Sequence, residues 1–365
     1  MPRSKLRPED ARRSNRALVL QAIVDRPGHS RADLARATGL TKVTVSDLVA
    51  ELIEAGLVRE SGTSSAARPG KPSTSLEFIP DARDVLAIDL SARDRFRGAV
   101  ISLAGAPVRV IERPLDGAVG DDALAAAHDL ARTLLSTATH PVLGLGVGTP
   151  GTVSADGVVL SAPNLAWHNL HLQDELARAL GIPVLVQNDA NVAVLAERRF
   201  AGLSGDLARI QLSRGVGAGL LVGDHLVHGA TSDAGEIGHV VIDPDGPACP
   251  CGKSGCLETQ VSVPALNARI QADPDAAGDI LAEAGRLLGR ALAPVVGMLG
   301  LQQIVIGGPD DLVRAELLDA TRTEITERTR SDFRPELDLR GSSLGRDAVL
   351  LGAAALVLLN QLGIS

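Results

Sequence analysis

Aromatic side chains are nearly missing from this chain of 365 residues, which has Phe 4, Trp 1 and Tyr 0. Reading nucleic acid by stacking bases requires several exposed rings along one groove, so five rings exclude that mode. No run of 18 or more uncharged apolar residues occurs, and the N-terminus MPRSKLRPEDARRSNR lacks the apolar stretch of a secretory signal. The expectation is a soluble, cytoplasmic protein with no membrane partner. Cysteine is also scarce, and the three that occur lie within eight positions of one another. What is plentiful is aliphatic: hydrophobic residues make up 45% of the chain. Leu, Val, Ile and Ala can therefore fill a large interior, and the length suits about two domains of usual size.

The formal net charge of −8 argues against a nucleic-acid partner only as an average. Residues 1–80 hold 13 Lys and Arg against 9 Asp and Glu, while residues 81–365 hold 23 against 35. A basic module thus precedes a large acidic one, and polyanion binding is confined to the N-terminal end.

Within the basic module three helical patterns follow at short spacing. The first covers 14–24 and stops at Pro27-Gly28. The second opens on Ser30, with Asp33 three residues later as an acidic capping box, and stops at Gly39. The third opens on Thr41 and ends near Ala55-Gly56. Two short helices joined by ATGLT predict a helix-turn-helix whose third helix is the recognition helix. Thr41, Lys42, Thr44 and Ser46 on its first turn are candidates for contacts to phosphates and base edges, and Val43 and Val45 offer methyl groups to thymine or to the core. Strands over 57–60 and 75–79 would flank a wing, SGTSSAARPGKPST, with Arg68 and Lys71 at its tip. Arg-Pro-Gly-Lys-Pro is a pre-organised cationic segment suited to a minor groove or phosphate backbone. The partner implied is a double-stranded DNA operator.

From Val85 onward strands alternate with helices, beginning with VLAIDL, RGAVISL and VRVIERPL, which predicts an α/β fold. The chain ends in RDAVLLGAAALVLLNQLG, an apolar helix that must be buried in a core or an interface. His239, Cys249, Cys251 and Cys256 form H-x9-C-x-C-x4-C and use every cysteine. Four such ligands suit a closed tetrahedral Zn2+ site of structural type, leaving no position for a catalytic water. Nearby polar groups resemble a polyol site. Asn188-Asp189-Ala190-Asn191 follows the apolar strand VLVQ, at the strand end where ligands bind in open α/β sheets. Glu236 precedes His239 by three residues, and Glu258 follows Cys256 by two. Carboxylates accept hydrogen bonds from vicinal hydroxyls and Asn adds donors.

The segment AGEIGHVVIDPDGPACPCGKSGCLE, with VQNDAN upstream and a winged helix-turn-helix in front, resembles the ROK family of sugar kinases and sugar-responsive transcriptional repressors. The resemblance implies an actin-like, hexokinase-like fold of two α/β lobes over 81–365, with the zinc loop at 239–258, preceded by the DNA-binding module over 1–80. It further implies that Asn188 and Asp189 bind sugar hydroxyls, with Asp189 at the kinase general-base position. Glu236, His239 and Glu258 complete that site, and Asn164 of APNLAWHN and the turn Gly148-Thr149-Pro150-Gly151 lie beside it. Trp167 is expected to pack under the loop.

The nucleotide motifs depart from the kinase pattern. Where kinases of the family carry Asp-x-Gly-Gly-Thr, this chain has Asp89-Leu90-Ser91-Ala92-Arg93; where they carry Gly-Thr-Gly-x-Gly-x-Gly, it has Ser213-Arg214-Gly215-Val216-Gly217-Ala218-Gly219. Side chains then fill space that phosphates need, and phosphoryl transfer depends on positioning around those phosphates. The expectation is a sugar-responsive repressor, acting as a homodimer or homotetramer, that binds a sugar or sugar phosphate without catalysis. The alternative is a bifunctional sugar kinase, for which the intact Gly307-Gly308 turn speaks. A further expectation is an anion held by Arg93 and Arg214.

Overall fold

The computed structural model describes residues 8–63, 74–329 and 336–364. The N-terminal module contains α1 (Pro8–Asp25), α2 (Arg31–Thr38), α3 (Lys42–Glu54) and an antiparallel pair, β1 (Val58–Thr63) with β2 (Thr74–Phe78). Helix α1 begins six residues earlier than its apolar pattern does. Pro8 suits a first helical position, and Glu9 and Asp10 complement the positive end of the helix dipole, so polar residues extend it. The capping box at α2 forms: the Ser30 hydroxyl accepts from Asp33 N, and the Asp33 carboxylate accepts from Ser30 N and Oγ, which holds its pKa down to about 2. Gly39 closes the helix in the left-handed region at φ 71°. Thr41 is the N-cap of α3 and lies outside its first turn, accepting from Thr44 N at 3.2 Å.

Two five-stranded sheets make up the large module. The first combines β3 (Asp84–Asp89), β4 (Arg95–Ser102), β5 (Pro107–Pro114), β6 (Val142–Thr149) and β10 (Val184–Asn188) in the order β10-β6-β3-β4-β5. The second combines β11 (Leu207–Leu212), β12 (Val216–Val222), β13 (His225–Leu226), β14 (Gln303–Gly307) and β15 (Asp338–Gly341) in the order β13-β12-β11-β14-β15. In each sheet a three-stranded antiparallel meander is extended by two parallel strands, so the two lobes share one topology. A small sheet of β7 (Thr152–Val153), β8 (Val159–Ala162) and β9 (Trp167–Leu170) decorates the first lobe. Helices α4 (Gly120–Thr137) and α5 (Leu172–Leu180) belong to the first lobe. Helix α6 (Asp189–Phe200) runs from β10 to β11 and so joins the lobes. In the second lobe lie α7 (Glu258–Val261), α8 (Val263–Ala272), α9 (Ala277–Leu299) and α10 (Ala315–Arg328), and α11 (Ala348–Leu362) returns to the first sheet.

The two modules share a core. Val19, Leu20 and Ile23 of α1, Leu34, Leu52 and Leu76 form one cluster with Val85 and Ile101 of the first sheet and with Leu350, Val357 and Leu358 of α11. Each fully buried Leu or Ile there contributes roughly 1.5–3 kcal/mol relative to an exposed one. The sequence left α11 as a core or an interface helix, and packing settles it as core. The apolar window Gly345–Leu362 is long enough to cross a membrane by composition, yet 56% of it is buried inside the fold. Trp167 is likewise buried, donating from Nε1 to Gly120 O at 2.9 Å.

Candidate sugar cleft, metal loop and DNA-facing helix

The metal loop is positioned by backbone contact with β12. A Cβ on Gly235 or Gly238 would collide with the carbonyls of Ala218 and Val216, so glycine at both places lets the Gly-Glu-Ile-Gly-His turn lie flat on the strand. That turn places Glu236 Oε2 3.9 Å from His239 Nε2 and turns His239 Nδ1 to Cys249. The four candidate ligand atoms of His239, Cys249, Cys251 and Cys256 all lie within 4.8 Å of one another. Cys251 Sγ is 3.6 Å from Cys256 Sγ, and Cys249 Sγ is 3.6 Å from His239 Nδ1. A tetrahedron with metal–sulfur bonds of ~2.3 Å has edges of about 3.8 Å, so the donor set fits zinc. Burial pushes the Cys249 and Cys256 thiols up, whereas the Lys253 amide pulls Cys251 down.

His239 serves two sides at once. Its Nδ1 faces Cys249 and lies 3.6 Å from Glu258 Oε1, while its Nε2 lies 3.9 Å from Glu236 Oε2. Burial in the cleft raises Glu236, with His239 opposing the shift. Asp189 stands at the first turn of α6, its Oδ1 accepting from Ala190 N at 2.8 Å. The residue is half-buried. Desolvation first, and the negative charge of Asp89 second, push its pKa up to about 7. Glu236, His239, Glu258 and Asp189 therefore form one electrostatically linked group.

Asn188 is more committed than its sequence position suggests. Its Oδ1 caps α6 by accepting from Asn191 N, and its Nδ2 donates to Gly151 O at 2.8 Å. One N–H and one lone pair remain for a ligand. Gly151 abuts Ser161 and Ala162 of β8, which puts the one-turn helix Pro163–Leu165 and exposed Asn164 at the same edge. Among the described residues Asn164 makes no hydrogen bond to the acidic group.

The first phosphate turn is closed. Asp89 is buried, and its Oδ1 accepts from Ser91 Oγ at 2.6 Å and Ser91 N at 2.9 Å, so the turn folds onto its own carboxylate. In the second lobe a cleft of about 640 Å3 is lined by Gln211, Ser213, Arg214, Asn267, Gly308 and Arg346, among others. Arg93 is exposed in the first lobe and does not line it, so the structure does not bring Arg93 and Arg214 to one anion site at this cleft.

On α3, Lys42, Ser46 and the N-cap Thr41 are exposed, and Lys42 has no ion-pair partner among the described residues. The two valines divide their roles. Val45 is fully buried, whereas Val43 is 71% exposed beside Lys42 and can meet a thymine methyl. Thr44 is half-buried and shares a hydroxyl contact with Thr41 at 2.9 Å. Arg68 and Lys71 lie outside the described residues.

Several polar residues escaped sequence reasoning. Gln187 Oε1 accepts from Asn188 N and from Asn191 Nδ2, bracing the start of α6. Arg209, 1% exposed, pairs through Nε with Glu197 Oε1 at 3.1 Å and donates to Gln211 Oε1 at 2.5 Å. An arginine in the middle of the apolar strand ARIQLS was the available signal, since a buried charge needs a buried partner.

Comparison with known proteins places these features. The family model described as "ROK family" matches residues 121–360, and one described as "MarR family" matches residues 13–68. A xylose repressor of Bacillus subtilis (strain 168) is 26% identical, over 94% of this chain and 94% of its own. A crystal structure of a ROK family transcriptional regulator, a homolog of the E. coli MLC protein, superposes with a TM-score of 0.83 at 28% identity, covering 97% of this chain and 98% of that one. A ROK family glucokinase from Streptomyces griseus in complex with glucose and AMPPNP gives a TM-score of 0.65 at 27% identity, covering 75% of this chain and 98% of that one.

Proposed function

The chain belongs to the ROK family, and from that premise we propose that it is a sugar-responsive transcriptional repressor whose large module binds a sugar without phosphorylating it. One observation supports the proposal above the rest: a helix-turn-helix module whose exposed Lys42 has no ion-pair partner among the described residues shares its core with the first of the two lobes. The glucokinase covers 75% of this chain, whereas the regulator covers 97% of it.

In this role Thr41, Lys42, Thr44 and Ser46, with Arg68 and Lys71 of the wing, contact an operator. Asn164, Asn188, Asp189, Glu236, His239 and Glu258 receive the sugar hydroxyls. Zn2+ held by His239, Cys249, Cys251 and Cys256 stiffens the loop, supplying structure and no chemistry. His239 then orients one ring between metal and sugar. A cytoplasmic homodimer or homotetramer places two winged helices on two half-sites. The exposed Met298-Leu299 end of α9 is one apolar surface available for self-association, and Val108 and Val110 on edge strand β5 are another. Loss of kinase activity is supported by Asp89 being tied to Ser91, with Arg214 in place of the kinase threonine at the second phosphate turn.

The test is binding of the protein to labelled DNA from upstream of sugar-uptake genes, titrated with salt and with a sugar panel. Steep salt dependence, weakened by Lys42→Ala and altered by one sugar, is expected. Unchanged affinity in Lys42→Ala and Arg68→Ala together would remove the DNA-reading face. A bifunctional kinase is the second possibility, favoured by Asp189, whose pKa near 7 suits a general base. Sustained ATP turnover with a hexose, abolished by Asp189→Asn, would establish it.

A further inference from the structure

The helix that begins at the sugar cleft ends at the DNA-binding module. Helix α6 opens on Asn188 and Asp189, spans 12 residues or ~18 Å, and closes on Arg199 and Phe200. Phe200 packs against the cluster that contains the winged-helix core and lies on the Gly105 turn of the first sheet. Arg199 is half-buried, and its Nε has no hydrogen-bond partner among the described residues. Burial lowers its pKa, opposed by the charge of Asp25, the last residue of α1, whose carboxylate accepts from Gln21 Nε2 at 2.6 Å and makes no ion pair with Arg199 here.

Between these ends α6 is gripped from two sides. Glu197 is buried and pairs with Arg209 of β11, and its Oε1 also accepts from Ser342 Oγ beyond β15 at 2.5 Å. Both partners in that ion pair belong to or touch the second lobe, and both are at most 2% exposed. A buried ion pair is a poor device for stability alone, since apolar residues of equal volume serve as well, but it fixes one geometry. On its other side α6 meets α11 backbone to backbone, where Gly352 lies on the Val192 carbonyl. Helix α11 then reaches α1 itself, with Arg13 Nη2 donating to Asn360 O at 3.0 Å.

We propose that α6 is the coupling element of this regulator, with Glu197 and Arg209 positioning it and Arg199 and Phe200 delivering its movement to α1. The proposal rests on the sugar-responsive reading above and specifies its route. Lobe closure around a sugar moves β11 relative to the first sheet. The Glu197–Arg209 pair transmits that motion to α6, because a stiff buried pair leaves no slack. The Arg199 side chain, whose Nε is unpartnered here, supplies the differential contact that a switch requires: its ion pair with Asp25 is absent in this lobe arrangement and made in the other.

The experiment measures the affinity of the full chain for a duplex selected from a random library by the wild-type protein, with and without D-xylose or D-glucose. The variants are Arg199→Met, which keeps the aliphatic contact, and Asp25→Asn, an isosteric change at an exposed position that keeps an oxygen to accept from Gln21 Nε2. Hydrogen exchange of residues 8–25 on sugar addition gives a readout independent of DNA. Wild type should show a sugar-dependent change in DNA affinity of at least about fivefold. Both variants should keep sugar affinity and sugar-free DNA affinity within about twofold, while the sugar-dependent ratio falls below about twofold and the exchange response in α1 disappears. Full retention of the ratio in both variants would overturn α6 as the route while leaving the repressor reading intact. A wild-type protein that binds sugar and DNA independently would overturn both.

Discussion

Replacing Gly352 by alanine tests how tightly α11 is keyed to α6. In an open helix, Gly→Ala stabilises by roughly 1 kcal/mol because alanine loses less backbone entropy. Gly352 lies in the interior of α11, so propensity alone predicts that gain. A Cβ there would lie 1.9 Å from Val192 O and 2.3 Å from Val192 C, both backbone atoms of α6. Relief requires the helices to part by more than 1 Å, approximated from the ~3 Å that a real Cβ tolerates, and overpacking of this kind costs roughly 1–3 kcal/mol or more. The strain falls on backbone, which cannot rotate away, so the upper end of that range applies. Subtracting the propensity gain leaves a net loss of ~1–2 kcal/mol, or a few degrees in Tm for a chain this long. Gly297→Ala in α9 is the control: its Cβ would meet Thr329 Cγ2 at 3.9 Å, an ordinary contact, and the variant should be neutral or slightly more stable. Thermal unfolding monitored by circular dichroism compares the two. If Gly352→Ala melts at or above the temperature of Gly297→Ala, the backbone contact between α11 and α6 is wrong, and so is the rigid unit built on it.

The metal loop should bind one equivalent of zinc per chain, measured by elemental analysis, and a strong chelator should lower Tm, because a ligand of the folded state stabilises by mass action. Cys251→Ser should lose both the metal and the Tm shift; full zinc content in that variant would exclude the tetrahedral site. Asp189 predicts a pH dependence. Its folded pKa of about 7 lies above the ~3.9 of an unfolded chain, so between those values the folded form holds a proton that the unfolded form has released. That contribution is present at low pH and is lost as pH rises through 7, by up to ~4 kcal/mol before water in the cleft reduces it. Asp189→Asn should therefore gain stability over wild type as pH rises from 5.5 to 8 in urea titrations, and parallel curves would contradict the raised pKa.

Much of the site was legible because its signals are local. The capping box of Ser30 and Asp33, the left-handed Gly39 and the H-x9-C-x-C-x4-C spacing each act within one turn or loop, and the structure places the ligand atoms within 4.8 Å of one another. The closed phosphate turn was visible as a change of residue type, Ser91 in place of glycine, and the structure adds what that serine does. Charge counted by segment likewise exposed the basic module hidden in a net −8.

What the sequence could not convey depends on which faces meet across long separations. Val43 and Val45 are equally apolar in the sequence, yet only docking of α3 onto α1 decides that one is exposed and the other enclosed. The hydrophobicity of α11 was plain, but its use as core rather than interface was fixed by the first sheet, α6 and α1 closing around it. The pairing of Glu197 with Arg209 joins a helix of one lobe to a strand of the next, and no local periodicity announces it. Short-range chemistry determined the capped helices and the ligand set. The core shared by the N-terminal module and the first lobe came from tertiary packing, because burial is a property of the assembled surface and not of any one segment.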